Sequence, residues 1–198
     1  MKILSACAAL AITLQISSFP VAAQRLFDVK GMGLMNSQQS PDLKLFFGES
    51  RTMAIQKLGK PTRVSKEFVE IEGDTAVVLH YSRSKLYFLH NELTDFELRD
   101  CTLAFGKNKQ IFRVGDKLTI VRETSSAGGL TKRDQYLLNN SPMMDLMVDN
   151  KAGKSMNVNY TRIAHNSIRH GDTNTDAEFE VLFDANDSVI SISVNQTN

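Results

Sequence analysis

The chain has 198 residues, with 23 Lys and Arg against 22 Asp and Glu, and so carries almost no net charge. A neutral surface of this kind does not attract nucleic acid or anionic lipid, so neither is an expected partner. The length suits one domain, or two small ones, with a hydrophobic core large enough to stabilise the fold.

The first segment, MKILSACAALAITLQISSFPVAAQ, has one lysine, an apolar run over residues 3–16, and small residues before position 24. This order is typical of a secretory signal peptide and predicts that residues 1–23 are cleaved off between Ala23 and Gln24. A membrane anchor fits this segment less well than a signal peptide does, because the apolar run is short and polar residues interrupt it. Lipid attachment at Cys7 does not fit, because most of the apolar run follows the cysteine. The sequence therefore predicts a periplasmic or secreted protein whose mature chain is not inserted in a membrane.

Removal of the leader takes Cys7 with it and leaves Cys101 as the single cysteine of the mature chain. Without a second cysteine no internal disulfide forms, so packing must stabilise the fold. The alternating stretch FELRDCTLAF predicts that Cys101 is buried and inert, rather than a reactive thiol or a disulfide link between two chains.

The stretch GESRTMAIQKLGKP predicts a helix of about ten residues. Ser50 is suited to cap its first turn, because its hydroxyl accepts a hydrogen bond from a backbone N–H two or three residues on. Gly59 can adopt the left-handed conformation that ends a helix, and Pro61 prevents its continuation. A helix this short is not stable alone, so its apolar face must pack on another element.

Three segments after the helix, VVLHYS, KLYFLHN and LTDFELRD, are rich in β-branched and aromatic residues and predict strands. Asn91 and Glu92, between the last two segments, predict a tight hairpin turn. A helix followed by antiparallel strands predicts an α+β fold, in which the helix covers one face of the sheet.

The second half repeats this order loosely. The segment FRVGDKLTIVRE again places a glycine before a short helix candidate, and EVLFDANDSVISISV predicts a terminal hairpin. Between them, MMDLMVDNKAGKSMNVNYTR predicts a hairpin that turns at residues 151–154, and HNSIRHGDTNTDAE predicts a polar connection. The expected organisation is a loosely held arm over residues 24–42, then two tandem helix-plus-antiparallel-sheet units at residues 43–100 and, with a longer insert, 101–198.

Candidate catalytic or metal-binding residues are few. His165 and His170 precede Asp172 and could share a metal ion, but ordinary histidines in a polar loop explain the same pattern. The chain has no nucleophile elbow, Cys–His motif or phosphate-binding loop. The sequence therefore predicts a non-enzymatic protein without a metal ion or cofactor. The alternative is a secreted hydrolase or a metal-binding protein that uses His165, His170 or Cys101.

The spacing of Gly48, Ser50, Leu58, Gly59 and Pro61 resembles a phrase of the SmpA/OmlA family, the small lipoprotein subunit of the outer-membrane β-barrel assembly machine. It is also similar to the repeat of the β-lactamase inhibitory protein. Both families continue into a strand hairpin, as this chain is predicted to do. In the inhibitor, two tandem units join their sheets into one curved surface that grips a protein. The resemblance therefore implies the two-unit α+β fold and a protein partner.

These observations predict an exported, non-enzymatic protein-binding module of the bacterial periplasm or cell envelope. Its partner is expected to be another envelope or secreted protein. We expect binding through the exposed face of the sheet, because helices cover only the other face. Alternation assigns that exposed face six side chains, namely His80, Ser82, Tyr87, Leu89, Glu97 and Arg99.

Overall fold

A computed structural model describes residues 26–38, 42–70, 72–108, 110–123, 133–143, 145–170 and 173–196. The predicted leader over residues 1–23, with its cleavage site between Ala23 and Gln24, lies outside these ranges. The described residues form one α-helix, α1 (Arg51–Leu58), and seventeen strands: β1 (Phe27–Asp28), β2 (Gly33–Asn36), β3 (Arg63–Val69), β4 (Asp74–Tyr81), β5 (Ser84–Leu89), β6 (Glu92–Leu98), β7 (Leu103–Lys107), β8 (Gln110–Arg113), β9 (Leu118–Glu123), β10 (Arg133–Leu138), β11 (Ser141–Pro142), β12 (Met147–Asp149), β13 (Gly153–Ser155), β14 (Val158–Tyr160), β15 (Arg162–His170), β16 (Thr173–Phe183) and β17 (Val189–Gln196).

The predicted α+β fold with two helix-plus-sheet units is wrong. Of the residues that the structure describes, 62% lie in strands and 5% in helix, so this part of the chain forms a β-rich sheet fold. The second helix candidate, FRVGDKLTIVRE, instead gives the end of β8, a turn at Gly115, and β9. Three β-branched residues in succession, Thr119, Ile120 and Val121, favour a strand over a helix there.

The largest sheet has nine strands in the order β1-β15-β16-β17-β6-β5-β4-β3, with β12 also paired to β15. Its neighbouring strands are antiparallel, except for β1 and β15, which are parallel. Strand β17 pairs with β6 and thereby joins the two predicted units, 43–100 and 101–198, edge to edge. One sheet therefore runs through both halves of the chain.

A single hydrophobic core lies on one face of this sheet. Helix α1 and a three-stranded sheet, in the order β2-β7-β8, pack against it. Phe96 and Phe179 from the large sheet contact Phe105 of the small sheet, with ring centroids 4.8 and 5.6 Å away. Aromatic contacts from both halves thus hold the two layers together.

The segment after the predicted leader contributes to this core. In β2 and just before it, Met32, Leu34 and Met35 are each 1% exposed, because β2 pairs with β7 and is enclosed. Residues 32–35 of the predicted loosely held arm, 24–42, therefore pack into the core. The local sequence looks irregular because the pairing partner of β2 is far away in the chain.

Helix α1 begins and ends at its capping residues. The Ser50 hydroxyl accepts a hydrogen bond from the backbone N–H of Met53 at 3.4 Å, and Gly59 follows the last turn with a φ of 90°. Ala54 and Leu58 are buried against the core. The Tyr81 hydroxyl donates to the carbonyl oxygen of Gly59 at 2.9 Å and so ties the end of the helix to β4. Within the described residues α1 is the only helix, and its eight residues are too few to cross a membrane.

Two turns and one connection differ from the sequence prediction. The β5–β6 hairpin turns at His90 and Asn91, one residue early, and both have the positive φ of a tight hairpin turn. The β13–β14 hairpin turns at Met156 and Asn157 rather than at residues 151–154. The predicted polar connection HNSIRHGDTNTDAE mostly belongs to β15 and β16, which pair with each other.

Candidate functional site

The face of the large sheet that points away from the core carries a row of polar side chains. Residues directly opposite each other on neighbouring strands share a face, so the strand pairing defines this row. It runs across six strands as His165, Glu180, Ser193, Glu97, Lys85 and His80, and ends at Arg63 on β3. We call this set the polar row.

Much of the polar row is not available to a partner. His80, Glu97 and Ser193 are 5%, 6% and 1% exposed. The β13–β14 hairpin lies over part of the row, since the Ser155 hydroxyl donates to Glu180 Oε2 at 3.1 Å and Arg99 donates to the carbonyl oxygen of Met156.

Of the six side chains predicted for an exposed face, Leu89 is buried as well as His80 and Glu97. This leaves little of the expected contact surface open.

At one end of the row, the imidazole of His80 lies among hydrogen-bond donors. Its Nε2 is 2.8 Å from the Ser65 hydroxyl and 3.2 Å from Arg63 Nη2. Burial, followed by the positive charges of Arg63 and Lys85, lowers the pKa of His80 below its ordinary value of 6.5. The neutral ring can therefore accept hydrogen bonds at Nε2.

At the other end, His165 lies between two carboxylates. Its Nδ1 is 2.6 Å from Glu178 Oε1 and its Nε2 is 3.2 Å from Asp149 Oδ2. Burial opposes the charged ring, but hydrogen bonds and attraction to Glu178 and Asp149 outweigh it and raise the pKa of His165 above 6.5. Nearby, burial and the charge of Glu178 raise the pKa of the Glu180 carboxyl. Both nitrogens of His165 are used in these ion pairs, which leaves neither free to activate a nucleophile.

The residues of the alternative hydrolase or metal site do not come together. His165 points to the polar row, whereas His170, farther along β15, lines a cleft on the opposite side of the sheet with Ile168. Cys101 is an exposed free thiol in the turn between β6 and β7, so its predicted burial is wrong. Asp172 lies outside the described residues. Across the described part of the chain, no three His, Cys, Asp or Glu side chains are placed to hold a metal ion.

Strand β3 is one edge of the large sheet and pairs only with β4 within the described part of the chain. Val64 and Phe68 lie on the same face of this strand and are 57% and 65% exposed, more than any other large apolar side chain described. A long edge strand with exposed apolar side chains is a site for pairing with another chain unless something protects it. We call Val64, Phe68 and the outer backbone of β3 the β3 edge.

The cleft has a volume of about 390 Å³ and lies where β6 and β17 separate. Beyond its pairing with β17, β6 pairs instead with the segment before α1, through the backbone of Leu93 and residues 48–49. Thr94 is an extra residue at a β-bulge between these two pairings. The bulge places Leu93 on the core side, and Leu93 and Thr94 form one wall of the cleft.

A second irregularity builds the opposite wall. The register of β15 and β16 shifts near Ile168, where β16 contributes extra residues. Ile168, Thr175, Asp176 and Ala177 therefore line the cleft together. β-bulges are frequent next to functional sites because they redirect side chains. Alternation in one strand does not reveal such shifts, so sequence reasoning missed this cleft.

Comparison of the chain with protein-family models, with curated proteins and with solved structures found no match. The resemblance of the segment around Ser50 and Gly59 to the assembly-machine subunit and to the inhibitor therefore stays a prediction.

Proposed function

We propose that this protein is an exported, non-enzymatic protein-binding module of the periplasm or cell envelope, and that it pairs the β3 edge with an extended strand of another envelope or secreted protein. The observation that carries the proposal is the exposure of Val64 and Phe68 on one face of an edge strand. Burial of the polar row favours the edge over the face of the sheet as the contact surface.

An edge strand offers both affinity and specificity to such a partner. Its outer backbone N–H and C=O groups can extend the sheet by one strand, and alternate side chains then select the sequence that is added. On the face shared with the polar row, Arg63 contacts His80, and Glu67 accepts a hydrogen bond from Lys85 at 3.0 Å. These contacts hold β3 in place, so little ordering of this strand is needed on binding.

The sequence of β3 favours a different protein over a second copy. If two copies paired around Lys66, Val64 would face Phe68, but the two Lys66 side chains would also face each other and repel. Pairing around Ser65 avoids this repulsion but places Val64 opposite Lys66. A partner strand with apolar residues opposite Val64 and Phe68, and an acidic residue opposite Lys66, satisfies all three positions.

The predicted leader supports export, and the resemblance to two families of protein-binding domains supports a protein partner. The alternative of a hydrolase or metal-binding protein has less support, because His165, His170 and Cys101 lie in three different places.

Photocrosslinking in the native cells tests the proposal. A photoreactive phenylalanine analogue at position 68 is expected to form a discrete adduct with another envelope protein. The matched control is the same analogue at Val121, a 38% exposed valine on another edge strand, β9. No adduct at either position, or the same adduct at both, would count against the β3 edge.

Substitutions then show whether the β3 edge pairs with a different protein or with a second copy of this chain. Val64→Lys with Phe68→Lys should abolish the adduct formed from a photoreactive residue at Lys66, whereas Val121→Lys should leave it unchanged. An adduct between two copies of this chain, with a dimer mass in light scattering, would identify self-association and overturn the proposal of a different partner.

A further inference from the structure

We propose that the cleft between β6 and β16 binds a small molecule with an apolar body and a protonated amino group. The inference rests on other observations than the β3 edge, although one lining residue, Glu72, lies in the turn between β3 and β4.

The interior of the cleft is apolar. Val29, Leu93 and Ile168, each at most 4% exposed, line the cleft, and Phe47 and Ala177 complete its apolar lining. A volume of about 390 Å³ falls in the range of small-molecule sites, which are mostly apolar with a few placed polar groups. This interior suits a hydrocarbon or aromatic body.

The polar groups in the walls are hydrogen-bond acceptors. The Thr175 hydroxyl donates to the carbonyl oxygen of Ile168 at 2.9 Å, and the Thr94 hydroxyl donates to that of Tyr87 at 3.4 Å. Because each hydroxyl has only one proton, both oxygens can offer only lone pairs to a ligand. A ligand must therefore supply the donor.

The charged groups at the rim have the same preference. Glu72 and Asp176, which are both exposed, line the cleft together with the exposed His170. Two carboxylates at the mouth of an apolar cleft attract a cation and repel an anion, and an ammonium group can donate to several acceptors at once. The carboxylates at the rim and the hydroxyl oxygens in the walls thus both favour binding of an amine over binding of a fatty acid or another anion.

Titration calorimetry with two chain-matched probes tests the inference. Decylamine, which is protonated at neutral pH, is expected to bind the folded protein with one-to-one stoichiometry, below its micellar concentration. We expect decanoate to bind at least about tenfold more weakly, because its carboxylate meets the acidic rim. Equal binding of the two probes, or no binding of decylamine because the chain itself fills the cleft, would overturn the proposal.

Variants locate the binding. Glu72→Gln and Asp176→Asn should each weaken decylamine binding about two- to fivefold, as expected for exposed charge pairs. Asp134→Asn is the matched control, since it removes an exposed carboxylate on β10, which does not line the cleft. Ala177→Phe should fill the cleft and abolish binding. If Ala177→Phe impairs folding, a second variant keeps the test possible. Thr94→Val removes an acceptor but keeps the shape of the side chain, and it should still weaken decylamine binding. Full binding by a folded Ala177→Phe variant would contradict the site.

Discussion

The two halves of the chain begin with similar phrases and fold differently. In residues 43–100, the glycine-led phrase forms helix α1, whereas in residues 101–198 the corresponding phrase forms β9. The first phrase has a serine cap, two separated β-branched residues, Thr52 and Ile55, among otherwise good helix formers, and Gly59 after its last turn. The second has Lys117 at the cap position and β-branched residues after it. Caps and side-chain branching decide such short segments, because neither has enough length to fold alone.

The difference also shows that the shared sheet needs a helix to cover its core in only one of the two halves. Helix α1 covers the core beside β4, while β7 and β8, with β2 from the N-terminal segment, cover it beside β16. Since β17 and β6 join the two halves, neither half encloses a core of its own. Four measurements test how far the two halves depend on each other.

Truncation of a core aromatic side chain should destabilise both halves together. Phe179→Ala removes a fully buried ring that contacts Phe27, Phe105 and Phe112, and should lower the free energy of unfolding by about 3–5 kcal/mol. Urea unfolding followed by circular dichroism and by a fluorophore on the exposed Cys101 should give coincident single transitions. Two separate transitions would mean that the halves fold as independent units.

Two glycines test the turns that precede or follow the contrasting segments. Gly59 has φ 90° and ψ −177°, a region that is essentially open to glycine only, so Gly59→Ala should cost about 1–3 kcal/mol. Gly115 has φ 97° and free space around an added Cβ, so Gly115→Ala should cost about 1 kcal/mol from backbone strain alone. Urea unfolding measures both, and a neutral Gly59→Ala would show that the end of the helix is not strained.

Loss of the helix cap should affect only the first half directly. Ser50→Ala removes the hydroxyl that accepts from Met53 N–H and should cost about 1 kcal/mol. Thr52→Ala, at an exposed position in the same helix, is the control and should be neutral or slightly stabilising because alanine has the higher helix propensity. Thermal unfolding measures the stability of both variants. Equal effects of the two substitutions would show that the Ser50 cap does not stabilise the helix.

The two histidines of the polar row should give opposite pH dependence. The pKa of His165 is raised, so its stabilising contribution is complete below 6.5 and is lost as the pH rises through the higher folded pKa. The pKa of His80 is lowered, so protonation favours the unfolded state and stability falls as the pH drops below 6.5.

Urea unfolding across this range should therefore give different results for the two variants. His165→Gln should flatten the stability profile above pH 6.5, and His80→Gln should flatten it below. Stability profiles that change in the same direction would contradict the opposite pKa shifts of His165 and His80. Titration of the two imidazole resonances by NMR would then show which shift is wrong.

Local sequence was sufficient for elements that depend on near neighbours. Neighbouring residues in the sequence are enough to predict the helix with its caps at Ser50 and Gly59. The same holds for the existence of the hairpins β5–β6 and β16–β17. The β3 edge also leaves a local signal in RVSKEFV, where charged residues lie on both faces of the strand. This pattern is typical of an edge, although Val64 and Phe68 by themselves look like core residues.

Elements that depend on distant pairing could not be predicted. In β15, Asn166 is a buried polar residue on the core side, and its amide donates to the carbonyl oxygen of Asp145 at 2.6 Å. A polar residue in that position makes the segment look like a loop. The cleft requires the shifts at Thr94 and Ile168, which exist only relative to partner strands. Periodicity within one strand carries no information about its register against another.

The parallel pairing of β1 with β15 has a consequence for the order of events when the protein is made. It joins Phe27 to Ile168, so almost the whole chain must be synthesised before this contact can form. Topologies with such distant contacts fold slowly, because closing the loop costs entropy before any contact compensates for it. Under the proposed export, such a chain would still be unfolded during translocation and would reach its final structure only after release on the far side.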